Sequence, residues 1–324
     1  MKRFLLLMTM GLFLMISCKT TYWVNYTEVS VPEEGTFIFE KITDESIESI
    51  AHPNIFKSQY QVHLSFSSNR CLALSPNGQY LYYLAFNNKQ CNVYRKDLIQ
   101  KNIQAQRTFR SGVTGLSISP DGENICFTET SGEYSLMYQT AANAGSIIRQ
   151  LSSQNVNDSH PYYQPDGSKV FFDRGGAIWS YDLQNNQVAN YCRGYQPYPI
   201  NNEEFLCYRM ATNKGEIWRV NYTTGHETVI VSYDERWFVT PSLSPDGQWI
   251  LMAGNTVPNG NTNEENVDIY VMKIDGTNLT QLTYHKGHDI CPIWSADGKY
   301  IYFLSQRGTE NGVYNIWKMN FNLK

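Results

Sequence analysis

One short string, repeated along the chain, limits the fold more than any other feature. SPNG stands at Ser75–Gly78, SPDG at Ser119–Gly122, QPDG at Gln164–Gly167, SPDG at Ser244–Gly247 and SADG at Ser295–Gly298. The copies lie 44, 45, 80 and 51 residues apart. A period of this size marks equivalent units in a ring or stack. The long gap is expected to hold a degenerate copy. YPINNEEFLCYRM, from Tyr198, keeps the flanking pattern, with Ile200 where the proline would stand. The chain therefore reads as six units. In this turn proline (Ala296 in the last copy) presets φ, Asp (Asn77 in the first) bonds its own backbone and Gly accepts positive φ.

Each unit has the same order. A short apolar run such as Leu72-Ala73-Leu74 precedes the turn, and an alternating run such as Ile301-Tyr302-Phe303-Leu304 follows it. A third run carries an aliphatic–aromatic pair: Val93-Tyr94, Ile178-Trp179, Ile217-Trp218, Ile269-Tyr270 or Ile316-Trp317. A fourth ends near Leu151-Ser152, Val231-Ser232 or Leu282-Thr283. Four short strands with tight turns make one propeller blade. Composition agrees: aromatics are 14% and charged residues only 17%, which suits pleated strands better than surface helices. The expected fold is all-β, a six-bladed propeller of four-stranded antiparallel blades.

The pattern P-x-W-S-x-D-G, I-Y-F-x-S, I-Y-V-M-x-x-D-G, L-T, closest over residues 291–305 and 268–283, resembles the TolB-type propeller repeat. The likeness covers about residues 36–324. No Gly-His or Trp-Asp signature of a WD repeat occurs. The last unit stops at its third strand, Asn315–Met319. Phe37–Thr43 ends in Ile42-Thr43, like Leu282-Thr283, so it is expected to complete the sixth blade and leave no open edge. Residues 44–67 then form an insertion, with a short helix expected at Asp44–Ile50.

The N-terminus is an address. Lys2 and Arg3 precede an apolar run, Phe4–Ile16, that is too short to span a bilayer as a helix. Met15-Ile16-Ser17-Cys18 resembles a bacterial lipobox. The resemblance implies lipidation of Cys18, cleavage before it and, with Lys19 following, an outer-membrane lipoprotein. The expected organisation is a signal peptide over 1–17, a tether over 18–35 and a propeller over 36–324. Six further cysteines permit disulfides, but several sit in apolar strand patterns that favour buried thiols. No CxxC pair occurs, which speaks against zinc.

Catalytic signatures are missing: no G-x-S-x-G, H-E-x-x-H, Walker or Rossmann motif occurs. Relatives of this propeller occur fused to serine peptidase domains, and no nucleophile elbow stands in these residues. A formal charge of −4 argues against nucleic acid. Aligning the units on the turn proline places Asp158 and Asp289 at equivalent inter-blade positions, with Asn69, Arg193 and Phe238 as looser equivalents. His160, His285 and His288 lie nearby, and the polar Gly254–Val267 loop falls on the same face. Asp158, His160, Arg193, His288 and Asp289 are thus the candidate ligand-binding residues at one channel mouth. No metal or cofactor is expected, although His and Asp are ligand types. The turn aspartates Asp121, Asp166, Asp246 and Asp297 read as structural. Resemblance to TolB implies a non-catalytic envelope protein that binds a protein or peptide partner. The rival reading is a propeller that binds or cleaves polysaccharide in its channel, as some propellers of this kind do.

Overall fold

The computed structural model describes residues 26–43, 70–87, 90–101, 103–104, 112–143, 147–234, 236–255, 266–310 and 312–323. The signal segment, Cys18, the 44–67 insertion with its expected helix, Asn69 and most of the Gly254–Val267 loop lie outside these residues.

Six four-stranded antiparallel sheets form the molecule. Strand β1 (Phe39–Lys41) comes first in the chain. Blade I holds β2 (Leu72–Leu74), β3 (Tyr80–Asn87), β4 (Gln90–Asp97) and β5 (Ile103–Gln104). Blade II holds β6 (Val113–Ile118), β7 (Asn124–Ser131), β8 (Tyr134–Ala141) and β9 (Ile147–Gln150). Blade III holds β10 (Asp158–Tyr163), β11 (Lys169–Arg174), β12 (Ala177–Asp182) and β13 (Val188–Arg193). Blade IV holds β14 (Tyr195–Pro199), β15 (Glu204–Ala211), β16 (Lys214–Asn221) and β17 (His226–Val231). Blade V holds β18 (Phe238–Leu243), β19 (Trp249–Asn255), β20 (Val267–Lys273) and β21 (Thr280–Gln281). Blade VI joins β22 (Asp289–Trp294), β23 (Tyr300–Ser305) and β24 (Asn315–Asn320) to β1. The first strands β2, β6, β10, β14, β18 and β22 touch in a closed ring around a central channel.

Closure follows the sequence expectation. β1 pairs with β24 through Phe39↔Met319, Glu40↔Lys318 and Lys41↔Trp317. The Ser/Thr ending the fourth strand has a clear task. Thr43 Oγ1 accepts the Ile316 amide at 2.9 Å, as Thr283 Oγ1 accepts Ile269 and Ser152 Oγ accepts Met137. The hydroxyl satisfies a third-strand amide just where backbone pairing ends.

The turns explain their motif. In blade II the Ser119 hydroxyl donates to Asp121 and accepts the Asn124 amide, while Asp121 accepts the Glu123 amide. Gly122 sits at φ +78°, open only to glycine at low cost. A Cβ there would stand 3.3 Å from Pro76 of the preceding blade, so turn glycine and neighbouring turn proline pack together. Blade IV departs from the expectation. Ile200 takes the serine position, its amide donating to Glu204 O, and Asn201 caps the turn by accepting the Glu203 and Glu204 amides. The turn is one residue shorter, because an Asx turn replaces the Pro-Asp-Gly bend.

Candidate functional site

The first strands carry a second repeated device. His160, Gln196, Thr240 and Cys291 have φ between +52° and +54°, each directly before a proline, and each marks a register shift in its strand pair. Left-handed backbone at non-glycine residues is costly and persists only when the surroundings hold it. They do. Asp173 Oδ1 contacts His160 Nδ1 at 2.5 Å and accepts the Gln196 amide at 2.9 Å, and Gln196 Oε1 accepts the Thr240 amide at 2.7 Å. These bonds join blades III, IV and V across the channel wall.

On the loop face, where second-to-third-strand loops and blade connections lie, the predicted carboxylates are internally paired. Asp158 is fully buried; it accepts Arg174 Nε at 2.6 Å, Arg174 Nη2 at 2.9 Å and the Ser152 hydroxyl at 2.5 Å. Asp289, also fully buried, accepts Arg307 Nη2 at 2.6 Å. Arg307 also donates to Glu34 at 2.9 and 3.2 Å and to the Val29 carbonyl. The stretch 26–35, expected as part of a tether, is therefore docked on blade VI. Gly308 and Thr309 amides donate to the Glu28 and Tyr26 carbonyls. His288 is half-buried, with Nδ1 accepting the Val267 amide. His285 is buried, its Nδ1 accepts the Gly287 amide, and burial lowers its proton affinity. Among the described residues no group of three or more His, Cys, Asp and Glu is placed to hold a metal.

Arg193 is not at this mouth. It ends β13, the outermost strand of blade III, and is exposed. The cause is the shortened turn of blade IV: the residue equivalent to Asp158 is Gly194, not Arg193.

The cavity opens on the opposite face, among the Pro-Asp-Gly turns. It measures about 670 Å³, within the range of ligand sites. Leu74, Ile118, Ile200, Leu243 and Ile293 form a partly exposed apolar wall. Arg70 lies at its base, 8% exposed, and its Nη2 donates to the carbonyls of Gln196, Pro197 and Pro241 at 3.2–3.3 Å. Its guanidinium lies 4.6 Å from the Tyr162 ring and 5.3 Å from the Tyr198 ring, a favourable cation–π placement. Its Nε has no partner, and among the described residues no carboxylate forms an ion pair with it. Burial weakens its hold on the charge. Sequence reasoning passed over Arg70 for its neighbour Asn69. A signal existed: five residues before the turn motif, Arg70 stands where other units carry Thr114, Ser159, Val239 and Ile290.

Comparison with known proteins follows the fold. The TolB beta propeller domain matches residues 59–255 and, overlapping them, 201–322. Dipeptidyl-peptidase 5 of Porphyromonas gingivalis is 34% identical over 67 residues, which are 21% of this chain and 10% of that protein. The crystal structure of TolB from Acinetobacter baumannii superposes with a TM-score of 0.55 at 23% identity, over 67% of this chain and 54% of that one. Oligogalacturonate lyase from Vibrio parahaemolyticus gives 0.53 at 14% identity, over 77% and 76%. The chain thus spans about a tenth of that peptidase and about half of the Acinetobacter baumannii structure. At these identities the solved structures share the fold alone.

Proposed function

The chain belongs to the TolB beta-propeller family, and from that premise we propose that it is a non-catalytic binding protein of the bacterial envelope. Its channel takes a protein or peptide partner at the turn-face cavity. The observation that carries this reading is Arg70: a buried cation with a free Nε donor, an apolar wall above it and, among the described residues, no carboxylate in ion-pair contact, the Asp173 charge acting on it only from a distance. A buried charge held by carbonyls and rings without a contacting counter-ion is costly. A carboxylate from an incoming acidic side chain or chain terminus supplies the missing charge and accepts from Nε. The apolar wall favours the aliphatic part of a peptide over a bare anion.

Residues 1–18 support an envelope address with a lipid on Cys18, so the ring would work close to a membrane. Among the described residues no helix is long and apolar enough to cross one. Asp158 and Asp289 are assigned to a face that shapes the ring because each pairs with a buried or half-buried arginine, and His160 and His288 because each bonds within the ring through Nδ1; His160 Nε2 and Asp289 Oδ1 carry no partner. The polysaccharide reading has weaker support: the lyase likeness reaches only the fold.

Site-specific photo-crosslinking in intact envelopes tests the proposal. A crosslinker at Ile293, on the cavity wall, is expected to trap a partner that Arg70→Gln releases; one at Tyr284, exposed on the loop face, is expected to trap none. Adducts confined to Tyr284, or insensitive to Arg70→Gln, overturn it. A Cys18→Ser protein that stays membrane-bound after a salt wash removes the lipid anchor from the account.

A further inference from the structure

The six cysteines of the ring differ in surroundings. Cys71, Cys91, Cys126, Cys207 and Cys291 are buried, whereas Cys192 keeps partial exposure. Cys192 lies on β13 of blade III, opposite Ile178, beside a register irregularity in that strand pair. Cys207 lies on β15 of blade IV, opposite Trp218. The two belong to different blades but to one apolar cluster with Phe171, Ile178, Phe205 and Val220. Both side chains pack into that seam, the partly buried Cys192 against the cluster that holds Cys207. The backbone is fitted to this contact. A Cβ on Gly194, two residues past Cys192, would stand 3.1 Å from Cys207 Sγ and 3.3 Å from Ile178 Cγ1. Gly194 also has φ +148°, so a side chain there is both crowded and strained.

Arg209 completes the arrangement. It donates to the Arg193 carbonyl at 2.9 Å and to both Glu227 oxygens at 2.7 and 2.8 Å, and its charge favours the Cys192 thiolate. The neighbouring Cys207 thiol, then the Arg209 cation, hold the Cys192 thiol below its ordinary value despite desolvation, while the same proximity and burial push Cys207 up. A reactive cysteine needs thiolate character and access; here one member of the pair has both and the other has neither.

We propose that Cys192 and Cys207 form a redox pair, closing to a disulfide that staples blade III to blade IV. The oxidant is a low-molecular-weight or protein disulfide. The Cys192 thiolate attacks one of its sulfurs, breaking that S–S bond and releasing one thiolate. Cys207 then loses its proton to the released thiolate and attacks Cys192 Sγ, displacing the second thiol. Two cysteine thiols lose two electrons and two protons, and the oxidant leaves as two thiols. The closed loop contains β14, whose Gln196 and Pro197 carbonyls hold Arg70, so oxidation tightens the strand beneath the channel cavity.

Oxidised glutathione added to the folded full-length chain, followed by alkylation and peptide mapping under non-reducing conditions, tests the pair. The expected result is a Cys192–Cys207 linked peptide and a higher denaturation midpoint that reductant reverses. Cys207→Ser is expected to stop at a glutathione adduct on Cys192. As a check independent of that buried variant's folding, iodoacetamide should label Cys192 of the wild type first, with a pH midpoint below that of a free thiol. All six ring thiols surviving oxidised glutathione, a link at Cys71–Cys291 instead, or Cys192 labelling no faster than the buried cysteines overturns the proposal.

Discussion

The two ends of the channel treat buried charge in opposite ways. On the loop face, Asp158 meets Arg174, and Asp289 and Glu34 meet Arg307. At the base of the cavity that opens on the turn face, Arg70 meets carbonyl oxygens and two tyrosine rings. Paired charges hold elements together, and removing one partner is costly because the other stays buried alone. A buried cation bonded only to neutral groups leaves no carboxylate stranded when it is removed, and on the reading proposed above it is the group that meets an anion from outside. The loop face therefore serves mainly the ring, including the docking of 26–35, and the turn face is the place to look for a ligand.

Arg307→Met should break this contrast most visibly. It strands Asp289 and Glu34, both at most 2% exposed, and should lower unfolding stability by about 3–5 kcal/mol, read from urea denaturation. Asp158→Asn comes next. Arg174 keeps a route to water, with 24% of its side chain exposed, so a loss of about 1–3 kcal/mol is expected. Arg70→Met should cost less than Arg307→Met, about 1 kcal/mol, since the Gln196, Pro197 and Pro241 carbonyls lose a donor but no carboxylate is stranded. A loss at Arg70 equal to that at Arg307 would erase the distinction between the two ends.

The smallest effect concerns pH. Burial depresses the proton affinity of His285, with the Asp289 charge opposing that shift and Arg307 adding to it. Between the two pKa values the unfolded chain binds more protons than the folded one. His285 thus contributes stability that is present above the ordinary histidine pKa and lost as pH falls through and below it. Denaturation midpoints measured from pH 7 to pH 5 should fall in the wild type and fall less in His285→Asn. Parallel curves would show that the site does not sense protons.

Much of the ring was legible because its motifs are local. Ser119, Asp121 and Gly122 solve one turn within four residues, and Thr43 repeats the task of Thr283 closely enough to reveal the closing strand. The site was less legible because its parts meet across blades. Arg70 gains meaning only from carbonyls more than a hundred residues away, and Glu34 only from Arg307. The misplacement of Arg193 has a simple origin: the alignment gave blade IV a full-length turn, but Asn201 closes a shorter one, and one residue of register moves a side chain from the channel to the rim.

The central claim is that Arg70 is held for a ligand. It is tested most directly by measuring the affinity of the partner trapped at Ile293 for wild type and Arg70→Met under conditions where both are folded. The account predicts at least about a tenfold loss, as expected for a charged hydrogen bond of about 1.5–3 kcal/mol, and a similar loss when the partner's carboxylate is amidated. Equal affinities for the two proteins would contradict it.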